Sequence, residues 1–212
     1  MSTDAPSTTP DVVGRVVSLR AFPVKSLDAA PLAHAQVLSG GVQHDRGWAV
    51  VDAAGEVVTA RTADALRTVR ADVRDDQPVL TLPGSTQPLA GAEAEAALSD
   101  LLGRPVALRS GAGGYNEVAP VHLVSRQAIA GGHAHDDEGG QCPCSVEEPR
   151  ANLVLDLTGE ALETSWVGAR LEVGGAVLRI SKAPRHCLGV YADVLVEGEV
   201  AEGDEAVLRR EA

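Results

Sequence analysis

The tightest constraint on this chain is its punctuation: apolar runs are short, tend to alternate with polar residues, and end at glycine, proline or small polar residues. Alternation with period two places one face of a segment inward and suits strands, not long helices. Val16, Val17, Leu19 and Ala21 open a strand that runs into Pro23, and Val37-Leu38 leads into the turn signal Ser39-Gly40-Gly41. Trp48 to Asp52 and Glu56 to Ala60 flank Ala53-Ala54-Gly55, which predicts a hairpin. Thr68 to Val73 and Val79 to Leu82 add two more strands. One segment breaks the pattern. Ala92 to Leu102 is rich in Ala, Glu and Leu and stops at Gly103, which predicts the one good helix.

Beyond the helix the β pattern returns at Val106 to Leu108, Val121 to Val124, Asn152 to Leu157, Arg170 to Val173, Ala176 to Ile180 and Leu188 to Val194. Gly174-Gly175 predicts a tight hairpin, and Ser125 to Ala130 a helical turn capped by the serine. Gly131 to Glu148 is polar and reads as an exposed loop. The expected fold class is therefore mostly β (α+β), barrel-like, with a few helices. The loop Pro83 to Pro88 suggests a division into a tail over residues 1–12, an N-terminal β-barrel segment over 13–90 and a second domain over 91–212.

Composition removes several function classes. Eighteen basic against thirty acidic residues give a net charge of −12, which argues against nucleic-acid binding. A hydrophobic fraction of 44% excludes wholesale disorder. No apolar run reaches membrane-span length, so no membrane partner is expected. Met1 to Pro10 reads as a frayed tail, not a signal or transit peptide. Three cysteines, an odd number, do not make a disulfide framework, and a reducing, cytoplasmic setting is expected.

Four short constellations carry chemistry. Phe22-Pro23-Val24-Lys25-Ser26 offers an ammonium and a hydroxyl at a strand end, donors suited to an oxyanion. His44-Asp45-Arg46, with Trp48 beyond, offers a planar guanidinium that Asp45 can brace from behind. Arg61, in Thr59-Ala60-Arg61, is a third cation close to a strand end, so an anion pocket within an acidic protein is a reasonable expectation. Arg150 and Asn152 point to one side if a strand has already begun there, supplying charge and amide hydrogen bonds. Cys187 follows Arg185-His186, two potentially cationic neighbours that favour a thiolate, a soft metal ligand or a nucleophile. Each also has a structural reading: a solvated lysine, an ordinary Asp–Arg pair, a strand-edge cap, an inert cysteine.

Taken in order, Phe-Pro-Val-Lys-Ser, Asp-Arg-x-Trp, Thr-Ala-Arg, Arg-x-Asn and a late cysteine resemble the MOSC family. The resemblance is to members with an N-terminal β-barrel segment, related to the mitochondrial amidoxime reducing component and the C-terminal part of molybdenum cofactor sulfurases. Pro120 to Ser125, Gly168 to Leu171 and Glu202 to Val207 support it, over roughly Val13 to Leu208. It implies a molybdenum cofactor (molybdopterin) held between the two segments, with Lys25, Ser26 and Arg46 on its phosphate and pterin side and Arg61 beside them. Ser125, Arg150 and Asn152 would complete the pocket, and Cys187 would be the sulfur ligand to the metal. The implied activity is that of an oxidoreductase removing oxygen from small N-hydroxylated or N-oxide substrates. The chain has no four-cysteine iron–sulfur domain, so a separate electron-donor protein is expected. His186, where relatives often carry arginine, and the long loop with Cys142 and Cys144 depart from the family pattern.

Two further readings compete. His133, His135, Cys142 and Cys144 suggest a zinc loop, although Cys-x-Cys spacing around Pro143 is tighter than usual structural zinc pairs. Alternatively Cys187 carries sulfur, in a carrier or cofactor-sulfuration role beside a pyridoxal-phosphate-dependent desulfurase.

Overall fold

The computed structural model describes residues 11–111, 114–115, 118–131, 149–184 and 187–210. In chain order its strands and helices are β1 (Asp11–Arg20), β2 (Asp28–Ala29), β3 (Pro31–Leu32), β4 (His34–Leu38), β5 (Gly41–Val42), β6 (Trp48–Asp52), β7 (Val57–Val58), β8 (Arg70–Arg74), β9 (Gln77–Thr81), β10 (Leu89–Ala90), α1 (Gly91–Leu102), β11 (Val106–Ser110), β12 (Val121–Ser125), α2 (Arg126–Gly131), β13 (Leu153–Leu157), β14 (Arg170–Val173), β15 (Ala176–Lys182), β16 (Val190–Val196), β17 (Gly198–Ala201) and β18 (Glu205–Arg209). Short 3₁₀ turns lie at Asp64–Thr68 and Glu163–Trp166. The fold is mostly β with two α-helices among the described residues, as the short alternating runs predict.

The contacts divide the chain into two interleaved units. The first holds the described residues up to Leu19, Leu32–Val42 and Val118 onward; the second holds Arg20–Pro31 and the described part of 43–117. This differs from a sequential cut at residue 90: α1 and β11 belong with the second unit, and β1 with the first. The tail also ends sooner than expected, because Asp11 and Val12 already pair with Leu208 and Val207 of β18.

In the first unit seven strands close on themselves in the order β13-β12-β16-β15-β14-β18-β1, with β1 pairing back to β13. Strand β1 carries a register irregularity against β13, between Val16 and Ser18, and another against β18, between Val12 and Gly14. Such bulges bend a strand enough to let a sheet curl shut. Leu123, Leu153, Leu155, Leu171, Leu178 and Ile180 are fully buried in this unit. Each such side chain contributes about 1.5–3 kcal/mol on burial. Gly174 and Gly175 join β14 to β15 as predicted, with Val173 opposite Ala176.

In the second unit β11-β6-β7 and β10-β9-β8-β2 form two small sheets. Their shared core contains Val24, Leu27, Val50, Leu66, Val69 and Leu80, and α1 adds Ala94 and Leu98. The i, i+4 spacing of Ala94 and Leu98 is the helix's buried stripe. Gly103 ends the helix in the left-handed conformation, φ 64°, and Arg104 N–H reaches back to the Ser99 carbonyl at 3.2 Å. That is the stop the sequence predicts.

Candidate functional site

In the second unit the segments around Lys25 and Arg46 lie side by side. Val24 forms a parallel bridge with Trp48. Arg46 N–H donates to the Phe22 carbonyl at 2.7 Å, Trp48 N–H to Pro23 at 3.0 Å, and Lys25 N–H to Trp48 at 2.8 Å. Leu27 N–H then closes a turn on the Val24 carbonyl at 3.2 Å, with Lys25 and Ser26 at its tip. Val24 and Leu27 are wholly buried on either side, so the apolar residues anchor the turn and the polar pair stays half-exposed.

Ser26 and Arg46 both adopt positive φ, 72° and 52°. Non-glycine residues rarely hold that conformation, and such strain concentrates at functional positions. Asp45 does what the sequence suggests. One carboxylate oxygen accepts the Phe22 N–H at 2.8 Å and the other binds the Arg46 guanidinium. That guanidinium also lies 5.3 Å from the centre of the Phe22 ring. With the Asp45 side chain 2% exposed and that of Arg46 16%, the pair is a braced, nearly buried fork. Lys25, Ser26 and Arg46 are therefore brought together. Arg61 is exposed in a turn that leaves β7 at the sheet end where β6 begins.

In the first unit β12 is the organising strand. His122 N–H donates to Asn152 Oδ1 at 3.0 Å, and Asn152 N–H returns to the His122 carbonyl at 2.8 Å. Asn152, 1% exposed, is thereby a clasp across the start of the parallel β12–β13 pair. Arg150 precedes it, half-buried, with its Nη2 shielded from solvent. Strand β13 begins only at Leu153, so the expected same-side arrangement of Arg150 and Asn152 along a strand is not what relates them.

Ser125 is placed differently from the expectation. It is fully buried, its hydroxyl accepts the Ala128 N–H at 3.0 Å, and its own N–H donates to Glu163 at 3.0 Å. It caps α2, as its second predicted role requires. Three residues along β12 from His122, it sits about 10 Å from the Asn152 clasp. We do not count it among the ligand-facing groups.

Cys187 lies in a bend, three residues before β16 rather than opening it, and is half-buried. It is disulfide-bonded. The thiolate reading of Cys187 therefore applies to the reduced chain. Its neighbours Arg185 and His186, and the whole of His133, His135, Cys142 and Cys144, lie outside the described residues. Among the described residues no group of three or more His, Cys, Asp or Glu side chains is placed to hold a metal. No described helix is long and apolar enough to cross a membrane.

Sequence reasoning missed His122 and Tyr191. The imidazole Nε2 lies 2.8 Å from the Leu188 carbonyl, next to Cys187, and the ring meets Tyr191 with centroids 5.0 Å apart. The available signal was one histidine within the apolar run Val121 to Val124.

A closed β-barrel and a β unit with a braced cationic turn define a β-rich protein. Residues 13–105 match the family model of the MOSC N-terminal beta barrel domain. A comparison with curated proteins found no match. Among solved structures the chain is similar to the YUAD protein from Bacillus subtilis, at 13% identity over 96% of this chain and 97% of that one, with a TM-score of 0.39. A likeness that loose carries no argument about fold or function.

Proposed function

We propose that this protein binds a molybdenum pterin cofactor and reduces small N-hydroxylated or N-oxide compounds, taking electrons from a separate donor protein. The observation that carries the reading is the braced Arg46 fork beside the Lys25-Ser26 turn, inside the region that matches the MOSC N-terminal domain. The MOSC family is associated with the molybdenum cofactor, and a cluster of pre-positioned donors suits its phosphate and polar pterin edge.

The residues fit that group with one condition. Lys25, Ser26 and Arg46 would hold the anionic end. Cys187 would be the protein's sulfur ligand, but only as a thiolate. Its disulfide must first take up two electrons and two protons from a thiol reductant, releasing two thiols. When bound, the cofactor supplies a two-electron metal centre able to accept an oxygen atom.

The test is metal and pterin analysis of protein made in a host that synthesises the cofactor, purified under reducing conditions. Stoichiometric molybdenum and amidoxime or N-oxide turnover are expected. Cys187→Ser should keep the fold and lose most molybdenum-dependent activity; full activity in that variant removes the ligand assignment. Lys25→Ala combined with Arg46→Ala should lower cofactor retention, and unchanged occupancy removes the anion site.

A second reading has one observation behind it. The Cys187 sulfur is engaged in a sulfur–sulfur bond, the bond type a persulfide carrier uses. A sulfur carrier working with a pyridoxal-phosphate-dependent desulfurase would show labile, cyanide-releasable sulfur on Cys187 and no stoichiometric molybdenum.

A further inference from the structure

We infer that His122 is a positioning residue for the Cys187 sulfur, its imidazole Nε2 pinning the turn that carries it. This rests on Cys187 being the reactive sulfur of the proposed site, and on contacts confined to the barrel unit.

A carbonyl oxygen can only accept, so the 2.8 Å contact to Leu188 requires the proton on Nε2. Leu188 directly follows Cys187 in the chain. The carbonyl held by His122 is therefore one peptide unit from the cysteine. The next residue presses on the same strand: Gly189 has φ +88°, and a Cβ there would lie 2.1 Å from the Leu123 carbonyl oxygen. Only glycine permits that approach. The Cys187–Gly189 bend is thus tied to β12 twice, by a side chain at His122 and by backbone packing at Leu123.

His122 is itself immobilised. Its backbone is clasped on one side by Asn152, with both N–H and carbonyl engaged. On the other side it stands opposite Tyr191 of β16, ring against ring. Tyr191 in turn faces Lys182 of β15, whose Nζ is 5.9 Å from the phenol ring centre. The imidazole is 9% exposed by residue and sits on a strand whose five residues are all buried. A ring held this firmly has little freedom to release the Leu188 carbonyl. The chemistry is positional: it sets where the sulfur sits without touching the reacting atoms.

Two substitutions separate this role from mere packing. In glutamine the amide nitrogen falls where Nε2 was; in asparagine it falls where Nδ1 was and cannot reach the carbonyl. Both are made in a background in which Cys142 and Cys144 are serine, so that Cys187 alone reacts, and iodoacetamide alkylation is timed on the folded protein. His122→Asn should alkylate about fivefold faster, the factor one net hydrogen bond carries, and His122→Gln within about twofold of the parent. Equal rates in all three, or the same change in both variants, overturns the inference.

If the asparagine variant does not fold, the parent decides alone. Nitrogen-15 NMR should show the His122 proton on Nε2, slow to exchange, and a proton on Nδ1 instead overturns the proposal. Molybdenum retention keeps the two readings apart. A parent protein that never takes up the cofactor sinks the proposed function but leaves the alkylation contrast standing. A loaded parent with no alkylation contrast sinks only the role of His122.

Discussion

At the scale of single residues, the site is built by pairing each polar group with a local anchor. Asp45 shows the logic. Its carboxylate satisfies both a backbone N–H and a guanidinium, so its removal orphans two donors at once. Asp45→Ala should lower stability by about 3 kcal/mol, the cost of breaking a nearly buried pair, and denaturant melts at pH 7 would measure it. Gly189 makes the complementary point. Gly189→Ala places a methyl group against the Leu123 carbonyl and should destabilise the barrel more than the usual ~1 kcal/mol of a glycine substitution. A melting temperature equal to the parent's would show that the bend can move aside. The Asp45–Arg46 bracing is legible from adjacency in the sequence. The positive φ of Ser26 and Arg46 is not, because no residue-type signal marks serine or arginine for that conformation.

At the scale of elements, local signals mostly prevail. Helix α1, the Gly103 stop and the Gly174-Gly175 hairpin form where composition and turn chemistry place them. The start of β16 does not. It begins at Val190, because Cys187 to Gly189 are drawn onto β12 instead of continuing the ladder. Ser125 is the other lesson: a serine before a helical turn carries a capping signal, and the cap is the role it performs. Ser125→Ala should cost about 1 kcal/mol by thermal melting, with a further penalty if the hydroxyl cavity does not close. Strands β14 and β18 are also joined by charge. Hydrogen bonding to Arg209 holds the Glu172 carboxyl below its ordinary value, with Coulombic attraction adding to it and partial burial opposing. Because the folded value is the depressed one, this stabilisation is present above the ordinary carboxylate pKa and fades as pH falls through the folded value. Both side chains are more than a third exposed, so solvent screening keeps the contribution of the pair small. Glu172→Gln should shift melting temperature slightly at pH 7, and by progressively less as pH falls through the depressed folded value.

At the scale of the molecule, the interleaving of the two units decides what can be separated. A fragment of residues 91–212 lacks β1, the strand that joins β13 to β18 and closes the barrel. Such a fragment should not give a cooperative unfolding transition; one that does would mean the barrel closes without β1. Oxidation state is a whole-chain property too. A disulfide at Cys187 predicts that the denatured oxidised protein titrates fewer thiols than the three that appear after reduction. A count of three before reduction would mean that Cys187 is a free thiol.

The amino-acid sequence by itself determined the β-rich class, the single well-formed helix and the residue types available to hold an anion. Those depend on period-two patterning, turn residues and side-chain chemistry, all of them local. Only the tertiary structure decided that β1 shuts a barrel it precedes by more than a hundred residues, and that His122 reaches the carbonyl beside Cys187. It also decided that Asn152 and Ser125 serve backbone partners. These are pairings between residues distant in sequence. Their energies depend on register and close approach, which no short window of sequence contains.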